Sequence, residues 1–156
     1  AWFLHFLEDP EAGPDWVANG GEATLLSYGV SPRSDLPTAE RMADIREKLL
    51  EKVPFSHRRL LEAAQLFHRE GDYLFVHAGV KPRVPVEMQS AADLLWIRDE
   101  FLESRDDHGY VVVHGHSVVA EPEIHSNRVA VDTGAYATGR LSALVLQGAE
   151  KSFLTT

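Results

Sequence analysis

Two histidines in this 156-residue chain stand where a β-sheet would deliver them. Residues 73–80 read YLFVHAGV and residues 111–117 read VVVHGHS, each an apolar run that meets a His and then a Gly. Short buried runs of this kind predict parallel strands, and open α/β sheets place their sites at the C-terminal ends of such strands. An imidazole at a buried strand end needs a partner. For His77 and His116 that partner is a metal ion or a reacting group on one reading and a loop carbonyl on the other, and spacing alone leaves both open. Gly beside each His lets a ligand come close to the backbone. His114 shares a strand face with His116 if the strand runs through Gly115, and its default place is behind the ligating residues. His5, His57, His68 and His125, in helix or loop contexts, and His108, in a charged loop, read as surface or packing residues.

The elements that must carry these residues follow from periodicity and punctuation. Residues 1–8 read as the body of a helix with no N-cap ahead of it, ended by Asp9-Pro10. Asp15 opens a short helical turn that Gly20-Gly21 breaks, and Glu22–Tyr28 is a further short helix. Met42, Ile45 and Leu49 have helical spacing and predict a helix over about 39–50. A second, capped by Ser56, runs over about 56–69 with Leu60, Leu61, Ala64 and Phe67 on one face. Strands are predicted at 73–77, 110–114, 128–132 and 142–147, with a short helix at Ala91–Trp96 and an irregular Pro-rich segment at 81–86. Two glycines in TGAYATGR permit tight turns. The order predicts one α/β or α+β domain over residues 1–156, with a mixed sheet.

Composition narrows the chemistry. The formal net charge is −9, which argues against nucleic acid or an anionic membrane as partner. There is no Cys, so a metal must take His and carboxylate. The apolar runs are too short to span a membrane and no signal peptide is visible, which suggests a cytoplasmic setting. The chain opens at Ala1 inside an apolar helical pattern, and reads as a piece of a longer protein.

Four stretches, FVHAG, LLWIRDEFL, VVHGHS and VDTGAYATGRLSALVL, occur in the order and spacing of one family. Together they resemble the C-terminal part of a bacterial calcineurin-like metallophosphoesterase. The closer likeness is to the phosphoprotein-phosphatase branch, with its serine/threonine phosphatases and symmetrical diadenosine-tetraphosphate hydrolases. The likeness extends over roughly residues 1–150. It implies a β-sheet sandwich flanked by helices and a two-metal centre at the strand ends, with Mn²⁺ favoured and Fe, Zn²⁺ or Ni²⁺ as substitutes. It implies hydrolysis of a phosphoprotein or small phosphoester by metal-bound hydroxide, without a covalent intermediate. A dinucleoside-tetraphosphate substrate is the alternative. A non-catalytic module that binds phosphate or a partner protein is another.

Carried over residue by residue, the resemblance makes His77 and His116 metal ligands and Arg98 the guanidinium that points at the phosphoryl oxygens. Without it, Arg98 reads as a helix-end residue paired with Asp99 or Glu100. Asp132 and Tyr136 fall where the family has residues near the metal cleft; Asp132 suits a carboxylate that orients a ligating His, and Tyr136 suits the core equally well. The family's three N-terminal acidic motifs have no counterpart here, so the family's carboxylate ligands, general acid and N-terminal strands are lacking. The expectation is at most one metal in this piece, no turnover by the piece itself, and self-association through exposed sheet edges.

Overall fold

The computed structural model describes residues 2–156, which fall into two compact units that meet in sequence at Ala64 and Gln65. The first is helical: α1 (Trp2–Glu8), α2 (Gly13–Trp16), α3 (Glu22–Ser27), α4 (Thr38–Lys52) and α5 (Phe55–Glu62). Its core joins the apolar stripe of α4, Met42, Ile45 and Leu49, to Phe6, Trp16, Leu25 and Val30. Phe6 stacks on Trp16 at 4.8 Å between ring centroids. Tyr28 Oη and His57 Nδ1 lie 2.8 Å apart, which ties α5 to the end of α3.

The helix predicted over 56–69 is half as long. It begins at Phe55 with Pro54, not Ser56, at its N-cap, and ends at Glu62. Residues Phe67–Glu70 instead form strand β1, an antiparallel hairpin with β2 (Tyr73–Val76) in which Phe67 pairs with Val76 and Glu70 with Tyr73. The two-residue turn at Gly71-Asp72, with Gly71 at φ 55°, favours this pairing over a further helical turn. His68 therefore lies on a strand.

The second unit is a mixed sheet with helices packed against it. After β2 come α6 (Ala91–Trp96), α7 (Asp99–Leu102), β3 (Val111–His114), β4 (Glu123–Ile124), β5 (Arg128–Ala130), α8 (Ala135–Thr138), β6 (Ser142–Gln147) and β7 (Glu150–Thr155). The sheet order is β1-β2-β3-β5-β4, with the central pairs β2–β3 and β3–β5 parallel and both outer pairs antiparallel. Strands β6 and β7 form a separate antiparallel pair around the Gly148-Ala149 turn. β1, β4 and β7 went unforeseen: β4 is two residues long, and the others carry charged residues that mask their alternation.

On one sheet face, Leu74 and Val112 pack with Leu94, Ile97 and Phe101 from α6, α7 and the link between them. Burial of these side chains stabilises the unit by about 1.5–3 kcal/mol each. Gly79 belongs to this packing. A Cβ there would stand 2.3 Å from Phe101 Cδ1, so the glycine that follows His77 serves a phenyl ring and not a ligand. TGAYATGR holds the short helix α8 between two left-handed glycines, Gly134 and Gly139, at φ 68° and 71°. Among the described residues, no helix is long and apolar enough to cross a membrane.

Candidate functional site

His77 follows directly on β2, and His116 stands two residues past β3, its parallel neighbour. The ladder continues one rung beyond the strands, because Gly115 N–H donates to the His77 carbonyl at 2.9 Å. The two imidazoles stand with centroids 5.0 Å apart and planes inclined at 54°. Two imidazoles bound to one ion at about 2.1 Å would put their centroids about 4.5–5.2 Å apart. The spacing fits a shared ion.

The backbone at His116 is unusual. Its φ is +64°, and Ser117 N–H closes back onto Gly115 C=O at 2.7 Å. This three-residue loop is the rarer, left-handed γ-turn, a conformation a β-carbon resists. The turn aims the ring away from the direction the strand would give it. His116 Nε2 is shielded from solvent without a hydrogen-bond partner, the kind of polar atom a ligand would satisfy. The edge of one ring meets the face of the other where Trp96 packs against His116, at 5.6 Å between centroids.

Burial favours the neutral form of both rings. Burial pushes His77 below the ordinary imidazole range, against the opposing pull of Asp132. Burial also lowers His116, helped by the Arg98 and His77 charges and opposed by Asp132. A neutral imidazole has a free lone pair, as a metal ligand must. Asp132, just past β5, accepts a hydrogen bond from Gly134 N–H at Oδ1, at 2.9 Å. It makes no hydrogen bond to either histidine, so it acts on them through its charge and not by orienting a ring. A Cβ on Gly115 would meet Asp132 Oδ2 at 3.5 Å, an ordinary contact, so close ligand approach does not demand this glycine.

Arg98 caps α7 and sits close to the pair: Nη1 is 3.5 Å from the Ser117 hydroxyl, a long contact that leaves the fork uncommitted. It forms no ion pair with Asp99 or Glu100. The Ala78 amide donates to the Leu94 carbonyl at 2.9 Å, so the residue after His77 holds the end of α6 against the strand, four residues before Arg98.

His114 faces the other way. It is 1% exposed, meets the Phe101 ring edge-on at 4.9 Å, and its Nδ1 lies 3.1 Å from the Gly115 carbonyl. The carbonyl accepts, so Nδ1 carries the proton, and the buried Nε2 has no partner. Burial holds its pKa down. Tyr136, on α8, is 90% exposed and so is no core residue.

An open cleft of about 290 Å³ contains His77, His116, Asp132, Thr133, Arg140 and Ser142 in its wall. Arg140 escaped the sequence reading, although an Arg directly after the second glycine of its loop, Gly139, was a usable signal. Its guanidinium is held by both oxygens of Glu121, with Nη1 to Oε1 at 2.8 Å, and by the Ala120 carbonyl at 3.1 Å. Among the described residues, no three His, Asp or Glu side chains converge as a metal site. The two imidazoles by themselves make no complete ligand set for a metal ion. Compared with known proteins, the chain matches no family model and no curated sequence.

Proposed function

We propose that this chain carries the two-histidine side of the metal cleft of a metal-dependent phosphoric-ester hydrolase acting on a phosphoprotein or small phosphoester. The observation that carries the reading is the His77–His116 pair, 5.0 Å apart at neighbouring parallel strand ends with an uncommitted guanidinium alongside. Divalent ions bound there would supply Lewis acidity toward a phosphoryl oxygen. His77 and His116 would hold metal through neutral rings, and Trp96 fixes the second ring by its edge-to-face contact. Arg98 presents a planar fork that suits two phosphoryl oxygens and the charge that spreads over them during transfer. Arg140, the guanidinium in the cleft wall, is already closed by Glu121. One available fork for one phosphoryl group favours a monoester over a dinucleoside polyphosphate, whose chain asks for several cations.

The direct test is a Zn²⁺ or Mn²⁺ titration of the purified chain followed by calorimetry and by imidazole NMR signals. Saturable binding that shifts His77 and His116, and is lost in either Ala variant, supports the reading. Binding that survives both substitutions, or shifts only His68 and His125, overturns it.

A further inference from the structure

A second cationic cleft lies at the opposite end of the sheet. The histidine pair stands past the C-terminal ends of β2 and β3, whereas this cleft gathers the residues after α7 and the turn into β5. Glu103, Ser104, Arg105, His125, Asn127 and Arg128 line it. Its two arginines come from segments far apart in sequence, and the buried Asn127 joins them. The Asn127 amide donates to the carbonyls of Ser104 and Asp106, each at 3.0 Å, so the loop that carries Arg105 is stapled to the strand that carries Arg128. The Asp106 amide donates to Ser104 Oγ at 3.2 Å, which fixes the loop from within. The two backbone segments that carry the arginines are thus held side by side.

Neither is neutralised. Arg128 is half-buried and makes only a long contact, 3.4 Å, to Asn127 Oδ1. Arg105 makes no hydrogen bond or ion pair with a described residue. No nearby carboxylate forms an ion pair with either, and Glu123 acts on Arg128 through its charge alone. Glu123 is engaged by His125 at 2.8 Å, Asp106 by Arg83 at 3.0 Å, and Glu103 remains on the exposed rim. Arg105 is exposed and Arg128 half-buried, so it is Arg128 that gives up part of its hydration, which an incoming anion would restore. Burial also holds Arg128 below the ordinary guanidinium value, with Glu123 opposing. In a chain of net charge −9, two uncommitted forks in one concavity select an anion that can use both.

We propose that this cleft binds a doubly charged tetrahedral oxyanion, free phosphate or the terminal phosphate of a small monoester, gripped between Arg105 and Arg128. The site is independent of the histidine cleft and of the reaction proposed there.

The test is an amide NMR titration of the chain with inorganic phosphate at constant ionic strength, repeated with phosphoserine. Saturable shifts in residues 103–105 and 125–128 are expected. Arg128→Gln should weaken that binding about tenfold, as loss of a charge-assisted contact does. Arg105→Gln, in an exposed loop that does not threaten the fold, should do the same. Arg98→Gln should alter only shifts around residues 96–98 and 115–117. Matching responses to both ligands assign the site to phosphate groups in general, and a response to phosphate alone assigns it to the free anion. Shifts confined to the histidine cleft, or shifts that chloride reproduces, overturn the proposal.

Discussion

The Gly115 amide and the His77 carbonyl are joined at 2.9 Å, one residue beyond the ends of β2 and β3. This single bond sets where the two imidazoles meet. Past it the chain turns left-handed at His116 and brings that ring to within 5.0 Å of His77. The pair thus depends on strand register and on one strained residue, and each dependence is open to measurement.

The strain is testable by two substitutions that remove the same ring. At φ +64° a β-carbon costs about 1–2 kcal/mol that glycine avoids. His116→Gly should therefore unfold at higher urea than His116→Ala, by about 1 kcal/mol in stability, with neither binding metal. Equal stabilities would mean that the turn relaxes freely once the ring is gone.

The chain alone should not turn over substrate. No third His, Asp or Glu joins His77 and His116 among the described residues, so a second ion has no ligand set here. Hydrolysis of p-nitrophenyl phosphate with Mn²⁺ should stay at the buffer rate. In a longer protein that adds carboxylate ligands, Ala at His77 or His116 should abolish turnover, while Arg98→Ala should chiefly impair handling of the phosphoryl group. Clear Mn²⁺-dependent turnover by this chain would show that Asp99, Glu100, Asp132 or His114 completes a centre after all.

Acid should destabilise the second unit before any carboxylate titrates. His77, His108, His114 and His116 are all held below the ordinary imidazole value, with burial the first cause in each case. Each takes up a proton more readily unfolded, so the unfolded state binds more protons between the unfolded value, about 6.5, and the lower folded values. Stability should be full above that window and fall as pH drops through it. Urea midpoints at pH 7.5, 6.5 and 5.5 measure this; a midpoint that rises on acidification contradicts it.

Gly79→Ala should cost about 1–3 kcal/mol, because the new methyl meets the Phe101 ring and both are packed against the sheet. The thermal midpoint reads it directly, and a neutral result would show that the ring has room to withdraw.

The β6–β7 pair should drive self-association. It is a two-stranded sheet, and Leu141, Val145 and Leu154 are exposed on or beside it. Bare strand edges and apolar surface recruit other chains. Sedimentation should show concentration-dependent association that Val145→Lys with Leu154→Lys reduces. A monomer at high concentration would disprove it.

Much of this architecture was legible because buried strands advertise themselves. VVVH and YLFV are almost continuous apolar runs, as the inner parallel strands of a sheet tend to be, and both lie where the sequence puts them. β1 was misread because FHRE continues a helical spacing of Leu and Phe; the Gly-Asp turn after it carried the contrary signal. The site was legible by residue type but not by direction. Sequence spacing put His114 and His116 on one face if the strand ran on, and only the γ-turn sends one ring into the cleft and leaves the other against Phe101. The second cleft left no local trace, since its two arginines are brought together by a side-chain amide that bonds to distant carbonyls.

The bond from the Ala78 amide to the Leu94 carbonyl links a strand end to a helix end, and so makes one proton a clock. Solvent can exchange it only when α6 lifts from β2. Its exchange rate therefore counts how often the segment leading to Arg98 comes loose beside His77, in a chain with no ligand present. Slow exchange would describe a guanidinium already stationed for its anion, and fast exchange one that must be recruited on each encounter.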